Sequence, residues 1–149
     1  MLNVITGDLL RSAKDGDFDV IVHGCNCFNA MGAGIAYAVK TQFPQANQAD
    51  QLTKRADPAK LGKFSYAEID SLVVVNAYTQ FYPGASFQLK ALQSCLAEIK
   101  NLFGGKSLRF GFPKIGAGIG GGNWDEIKAE LENFALEEDV TIVLWENEP

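Results

Sequence analysis

Two hydrophobic periods alternate along the chain, and together they predict a succession of strands and helices. Short β-branched apolar runs predict strands at residues 2–5, 19–23, 64–69, 72–78, 108–112 and 140–145. Apolar residues at helical spacing predict four helices. They follow Gly34, begin at Pro44, span residues 89–103 and follow Asn123.

Strands that alternate with helices predict a parallel or mixed sheet with helices on both faces, which is the α/β fold class. In such sheets ligands bind outside the carboxyl ends of the strands. Three segments should meet at that edge, namely residues 23–34, 76–84 and 113–122. A binding site is therefore expected where these segments converge.

The composition predicts one ordinary globular domain over residues 1–149. Apolar residues make up 47% of the chain and charged residues 21%, and the length suffices for a core without metals or disulfides. Apolar runs such as residues 72–75 are far too short to span a bilayer. Residues 1–15 lack the segments of a secretory signal, so we expect a cytoplasmic monomer that does not bind a membrane.

Charge and cysteine content narrow the function classes. The net charge is −5, the pI is near 4.8, and no basic run is present, which disfavours nucleic acid as a partner. Phosphate remains a candidate ligand, because backbone N–H groups can hold it without a cationic side chain. Three cysteines and one histidine suit neither a disulfide framework nor a zinc site, so no metal and no cofactor are predicted.

The segment from His23 to Ala36 runs from an apolar strand through a loop of small residues into a helix. Gly32 and Gly34 permit close approach of the backbone, and the first turn of the helix presents unpaired N–H groups. An ordinary strand-to-helix turn would also explain the glycines. The loop is long for such a turn, however, and this favours ligand binding.

A second glycine-rich segment, residues 113–122, lies between a strand and a helix that Asn123 caps. Gly116, Gly118 and Gly121 satisfy the G-x-G-x-x-G pattern of dinucleotide-binding folds. Those folds place the pattern in their first βαβ unit, whereas here it lies in the last predicted unit. The segment is therefore predicted to be an anion-binding loop and not a dinucleotide fingerprint.

Four motifs, in order, resemble the macrodomain family over nearly the whole chain. They are the Gly-Asp turn at residues 6–9, a strand that ends in an asparagine at 19–26, the glycine loop at 32–36 and the glycine loop at 113–122. The resemblance implies a three-layer α/β/α fold with a mixed, mostly parallel central sheet, and ADP-ribose as the ligand. Sequence details are similar to a branch with ADP-ribose-1''-phosphate phosphatases and a glycohydrolase that removes ADP-ribose from acidic side chains.

The resemblance also implies roles for matching residues. Asp8 would accept a hydrogen bond from the adenine amino group, Leu9 would offer its N–H to the ring, and Asn26 would hold hydroxyls of the distal ribose. Trp145 is a candidate border of the adenine. The implied ligand-binding set also contains Met31, Gly32, Ala33, Gly34, Ile35, Gln80, Ile115, Gly116, Ala117, Gly118, Ile119 and Gly120. Structural alternatives are a helix cap for Asp8, a left-handed loop conformation for Asn26, and core packing for Trp145.

His23 is the only histidine and, with Asn26, is the candidate catalytic residue. Three residues before Asn26, it would lie near the distal ribose, where a histidine can transfer a proton or attack phosphorus. This favours a metal-independent phosphatase that hydrolyses ADP-ribose 1''-phosphate to ADP-ribose and phosphate. A satisfied structural histidine is the alternative interpretation.

Three other functions stay open: a non-catalytic ADP-ribose reader, a hydrolase that removes ADP-ribose from modified proteins or nucleic acid, and an RNA-end binder. The glycohydrolase members resembled here use a lysine on the middle strand and an aspartate in the second glycine loop. This chain has no lysine in residues 76–80 and has Gly120 at the aspartate position. Both departures argue against glycohydrolase chemistry.

Overall fold

Strands and helices alternate along residues 2–147, the part of the chain that the computed structural model describes. The strands are β1 (Leu2–Gly7), β2 (Val20–Cys25), β3 (Phe64–Ile69), β4 (Leu72–Tyr78), β5 (Arg109–Phe112) and β6 (Asp139–Trp145). The helices are α1 (Leu9–Lys14), α2 (Gly34–Gln42), α3 (Pro44–Gln51), α4 (Leu89–Phe103) and α5 (Trp124–Phe134), with a 3-10 turn at Pro58–Lys60.

The strands form one sheet in the order β1-β6-β5-β2-β4-β3. Every neighbouring pair is parallel except β3 and β4, which form an antiparallel hairpin at one edge. The hairpin turns at Asp70, whose φ of 57° is the left-handed conformation that a tight connection requires. The predicted mixed, mostly parallel sheet is therefore confirmed.

Helices cover both faces of this sheet because successive strand residues point to opposite sides. On one face Val22 packs in a core with Leu92 of α4 and Ile127 of α5. On the other face Ile21 packs with Val39 and other residues of α1, α2 and α3. This is the predicted three-layer α/β/α arrangement.

No helix in residues 2–147 has the length and apolar character needed to cross a bilayer.

Helix α1 was not predicted, although the six predicted strands and four predicted helices are all present. Its six residues are too few to establish a helical period in the sequence. The start of α1 is marked by its N-cap residue, Asp8, whose carboxylate accepts hydrogen bonds from the amides of Leu10 and Arg11. Strand β2 also runs two residues beyond its predicted end, through Gly24 and Cys25.

The five parallel strands end at one edge of the sheet, and the segments that follow them meet there. Asp8 follows β1, Asn26 follows β2, Thr79 follows β4 and Pro113 follows β5, while Trp145 is the last residue of β6. This is the edge at which α/β sheets bind ligands.

Candidate functional site

Two cavities lie side by side along the carboxyl edge of the sheet. The wider has a volume of about 530 Å³ and the narrower about 360 Å³. They form one continuous cleft because both are lined by the same five residues at their junction. These are Gly34, Ile35, Pro113, Lys114 and Gly118, from the two glycine-rich segments.

The wider cavity lies between α1, α2 and the ends of β1 and β6. Of the predicted site residues, it contains Asp8, Leu9 and Trp145 in addition to the junction. Residues that were not predicted complete it. They are Leu10, Ala38, Gln42, Val143 and Asn147. The mostly apolar walls and single carboxylate suit a flat heterocycle that carries a hydrogen-bond donor at its edge.

Asp8 serves as a helix cap and also lines the wider cavity. Its Oδ1 atom accepts hydrogen bonds from Leu10 N at 3.1 Å and Arg11 N at 3.2 Å. Its Oδ2 atom takes no part in this cap. A carboxylate can only accept hydrogen bonds when ionised, so this oxygen selects a donor such as an amino group.

Trp145 lies beside this carboxylate, because β6 pairs with β1 and places Trp145 opposite Gly7. The side chain is 48% exposed and lines the wider cavity. A tryptophan that only filled the core would be buried. The exposed ring is instead available to stack on a planar ligand.

The first glycine-rich segment brings the N-terminus of α2 to the cleft. Ala33 occupies the cap position and supplies no side-chain hydrogen bond, so the first amides of the helix stay open. Gly34 has a φ of 60°, and a Cβ there would lie 3.1 Å from Ile119 Cδ1 in the second glycine-rich segment. The two segments therefore come together across the cleft, and an uncapped helix start of this kind favours an anion.

The second glycine-rich segment folds back on itself and leaves several amides free. Gly122 N donates to Gly116 O at 2.8 Å, and Gly121 N donates to Gly118 O at 3.1 Å. Within residues 2–147, the N–H groups of Gly118, Ile119 and Gly120 have no carbonyl partner. Successive free amides of this kind form a concave anion-binding surface.

Gly116 must be a glycine for a steric reason. Its φ is 74°, and a Cβ would lie 2.4 Å from two carbons of the Phe87 ring. Phe87 is held in turn by its amide, which donates to Gly120 O at 3.1 Å. The glycines therefore set the shape of this segment, and they do more than supply flexibility.

Asn26 lies in the wall of the narrower cavity, but its side chain also shapes its own loop. Its Nδ2 donates to Ala30 O at 2.8 Å, and its Oδ1 accepts from Phe28 N at 2.9 Å. Each amide group keeps capacity for one further hydrogen bond to a ligand. The left-handed residue of this loop is Asn29, with a φ of 55°, and not Asn26.

Gln80 presents a single acceptor to the narrower cavity. Both hydrogens of its Nε2 are used, by Tyr82 O at 2.8 Å and Gly84 O at 2.7 Å. A Cβ at Gly120 would lie only 2.9 Å from Gln80 Oε1. The same Cβ would also lie 2.9 Å from the main-chain oxygen of Gly116, so the folded segment leaves no room for a side chain at position 120.

The structure buries His23 behind the wall of the narrower cavity, where both ring nitrogens lie 3.7 Å from Sγ of the lining residue Cys25, although the prediction placed it directly beside the ligand. The ring is only 2% exposed and lines neither cavity. Strand pairing sets His23 opposite Asn76, and His23 Nε2 lies 2.7 Å from Asn76 Oδ1. Asn76 Nδ2 donates to Ala46 O and Ser65 Oγ, so Oδ1 is the acceptor and the imidazole Nε2–H donates.

Burial also determines the charge of this histidine. It lowers the pKa of His23 to about 4, and the hydrogen bond to Asn76 opposes the shift only in part. The ring is therefore neutral near pH 7 and lies between the sheet and α3. The alternative interpretation, a satisfied structural histidine, describes this geometry.

Two further predicted residues lie outside both linings. Met31 is 3% exposed and packs in the core under α2, and Ala117 packs against the core beneath α5. The remaining predicted site residues all line the cleft. They are Asp8, Leu9, Asn26, Gly32, Ala33, Gly34, Ile35, Gln80, Ile115, Gly116, Gly118, Ile119, Gly120 and Trp145.

Besides Gln42 and Asn147, sequence reasoning missed three polar residues of the cleft, namely Cys25, Thr79 and Lys114. Burial raises the pKa of the Cys25 thiol well above its ordinary value, with a smaller contribution from Asp50, so it is not a ready nucleophile. Thr79 Oγ1 is buried without a hydrogen-bond partner in the described chain. The position of Cys25 and Thr79 in the sequence could have indicated them, because Cys25 ends β2 and Thr79 directly follows β4.

A metal site is not apparent in residues 2–147, where no three His, Cys, Asp or Glu side chains form a group that could hold an ion. The polar groups that line the cleft are mainly main-chain amides, one carboxylate, four side-chain amides and one ammonium group. This arrangement can bind a ligand that has a heterocycle at one end and phosphate in the middle.

The sequence model of the Macro domain matches residues 22–130. A 17.5 kDa protein of Enterobacteria phage T4, described as uncharacterized, is 39% identical, with 98% of this chain and 97% of that protein covered. An ADP-ribose 1''-phosphate phosphatase of Meyerozyma guilliermondii is 25% identical, with 95% and 98% covered.

Solved structures share the fold. The macrodomain of Mycobacterium tuberculosis DarG superposes with a TM-score of 0.80 at 22% identity, over 96% of this chain and 97% of that one. Thermosipho africanus DarTG in complex with ADP-ribose gives a TM-score of 0.78 at 20% identity, over 96% of this chain and 41% of that one. At these identities the likeness concerns the fold alone.

Proposed function

The chain belongs to the Macro domain family, and from this premise we propose that it binds ADP-ribose along the double cleft. The observation that carries the proposal is the order of groups along the cleft. A carboxylate and an exposed tryptophan lie at one end, free amides of two glycine-rich segments at the junction, and side-chain amides at the other end. That order matches adenine, diphosphate and distal ribose.

The adenosine half belongs in the wider cavity. Asp8 Oδ2 accepts from the adenine amino group, and Trp145 borders the ring. The amide of Leu9 is placed beside the same heterocycle. An unsubstituted purine, which has neither the 6-amino group nor an N1–H, would leave the carboxylate unpaired and should bind less well.

The diphosphate belongs at the junction of the cavities. The open amides of α2 face it from one side, and those of Gly118, Ile119 and Gly120 face it from the other. Neutral amides need no counter-charge and are already in position, so binding requires little reorganisation. The distal ribose then reaches Asn26 and Gln80 in the narrower cavity.

Calorimetry with ADP-ribose, AMP and an ADP-ribose analogue that carries unsubstituted purine in place of adenine tests this proposal. ADP-ribose should bind more tightly than AMP, because only the former fills both cavities. Loss of the adenine amino group should weaken binding. Absence of heat and of thermal stabilisation at millimolar ADP-ribose would refute the proposal.

A second proposal is that the protein hydrolyses ADP-ribose 1''-phosphate to ADP-ribose and phosphate. Its support is the fungal phosphatase that is 25% identical over 95% of this chain, together with the similar protein of Candida albicans. In this step water attacks phosphorus, the bond from phosphorus to the ribose oxygen breaks, and that oxygen takes a proton. The amides of the second glycine-rich segment stabilise the phosphate charge.

This proposal assigns no catalytic role to His23, because its neutral ring is buried behind the cavity wall. Asn26 is the side chain best placed to orient the terminal phosphate, since it lines the narrower cavity and keeps free hydrogen-bonding capacity. Phosphate release by wild type, His23→Gln and Asn26→Ala decides the matter. The second proposal expects activity in the first two proteins and a large loss in the third.

If wild type binds ADP-ribose but releases no phosphate, the protein is a non-catalytic reader. If Asn26→Ala turns over at the wild-type rate, the role given to Asn26 is wrong. Release of ADP-ribose from a modified protein or nucleic acid, with no action on the phosphate, would favour the de-ADP-ribosylating hydrolase.

A further inference from the structure

One cation lies at the junction of the two cavities. Lys114 is the only lysine or arginine that lines either of them in residues 2–147, and it lines both. It follows β5 by two residues and precedes the free amides of the second glycine-rich segment. The protein as a whole has a net charge of −5. This ammonium group is therefore the one local charge in the cleft wall that opposes repulsion of an anion.

The resting contact of this lysine is an aromatic ring. Lys114 Nζ lies 5.7 Å from the ring centroid of Trp124, the first residue of α5. Within residues 2–147, Lys114 forms no ion pair with a carboxylate. The side chain is exposed, and a cation–π contact at an exposed site is weak. Little therefore prevents the ammonium group from moving to a stronger partner.

We propose that Lys114 is a specificity-determining residue that leaves the Trp124 ring and pairs with the diphosphate when ligand binds. This inference rests on the proposed binding of ADP-ribose and adds a cation to a site otherwise built from neutral amides. A charge-assisted hydrogen bond to phosphate is stronger than a contact with an exposed ring, so ligand drives the exchange. Lys114 thereby favours diphosphate ligands over nucleosides that occupy the wider cavity alone.

The main test is the affinity of Lys114→Gln for ADP-ribose and for adenosine. At low salt we expect ADP-ribose to bind about threefold to tenfold more weakly than to wild type, and the difference to shrink at high salt through screening. Adenosine should bind equally to both proteins. Lys114→Arg keeps the charge and should recover most of the affinity.

Lys106→Gln is the matched control because it removes the same charge elsewhere. Lys106 lies before β5, at the amino edge of the sheet, and its Nζ donates to Leu102 O at 3.0 Å. We expect this variant to bind ADP-ribose like wild type. Equal weakening by the two variants would mean that net charge alone acts, and it would overturn the inference.

Fluorescence provides a second readout that a structural role would not produce. In a Trp145→Phe background Trp124 is the remaining tryptophan, and saturating ADP-ribose should change its emission as the ammonium group leaves. The change should be absent when Lys114→Gln is added. Persistence of the change without the lysine would overturn the movement. If wild type does not bind ADP-ribose at all, the proposed function itself fails, whereas binding that ignores Lys114 refutes only this inference.

Discussion

Replacing His23 by glutamine should remove a loss of stability that the wild-type protein suffers in acid. The pKa of His23 is lowered by burial from 6.5 to about 4 in the folded protein. As pH falls below 6.5, the unfolded chain takes up a proton that the folded chain cannot accept. The folded state therefore loses stability between pH 6.5 and about 4, and the full contribution of the neutral ring is present only above pH 6.5.

The size of this effect follows from the gap between the two pKa values. A gap of about 2.5 units corresponds to about 3 kcal/mol near pH 4 and about 2 kcal/mol at pH 5. For a chain of this length, 2 kcal/mol lowers the unfolding midpoint by roughly 4–8 °C. Glutamine has no charge to gain and can still donate to Asn76 Oδ1, the acceptor that His23 uses.

Urea unfolding of both proteins at pH 7.5 and pH 5.0 measures the difference directly. Other groups, including the buried Asp50 carboxyl whose pKa burial raises, are present in both and cancel to first order. The free energy of unfolding should fall by about 2 kcal/mol more in wild type than in His23→Gln. Identical pH dependence would show that His23 titrates normally and is not enclosed as described. Binding of ADP-ribose at pH 7.5 should survive the substitution.

Three further substitutions separate folding from binding. Asp8→Ser keeps a helix cap for α1 but loses the ionised acceptor. The unfolding midpoint should therefore hardly move, whereas calorimetry should show that the affinity for ADP-ribose falls about tenfold. Unchanged affinity would exclude the adenine contact. Gly116→Ala strains a φ of 74° and strikes Phe87, which should cost about 2–4 kcal/mol in urea unfolding. Gly118→Ala meets no atom within 4 Å and should leave stability within about 0.5 kcal/mol of wild type. Equal costs for the two glycines would contradict the described conformation.

The strands and helices could be predicted because their hydrophobic periods are long and uninterrupted. Leu89–Phe103 presents an apolar face over its whole length, and Phe64–Ile69 with Leu72–Tyr78 matches the predicted hairpin. Helix α1 escaped prediction because six residues hold less than two turns. Its N-cap residue, Asp8, could be recognised in the sequence. Asp8 both caps the helix and lines the wider cavity, and the family resemblance indicated only the ligand-binding role.

The parts of the candidate site that are formed by the main chain could be predicted from the sequence. The parts that depend on the direction of a side chain could not. Glycine-rich segments after strands indicate an anion site whichever way neighbouring side chains point. The sequence could not show which face of the sheet His23 occupies; in the structure its side chain lies on the α3 side, against Asn76. Lys114 was not predicted as a site residue because a single lysine in a glycine-rich segment forms no recognisable motif. Its candidate role follows only from its position at the junction of the two cavities.

The polar groups of the narrower cavity lead to a prediction about the pH dependence of any hydrolysis. Thr79 Oγ1 and Gln80 Oε1 are neutral, and burial holds the pKa of Cys25 far above neutrality. No side chain in that part of the wall therefore offers a base that titrates near pH 7. The rate of phosphate release should change only with the ionisation of the substrate phosphate at about pH 6. Between that pH and about pH 8 the rate should be constant. A bell-shaped profile centred near pH 7 would require a histidine-like group at the phosphate and would refute this prediction.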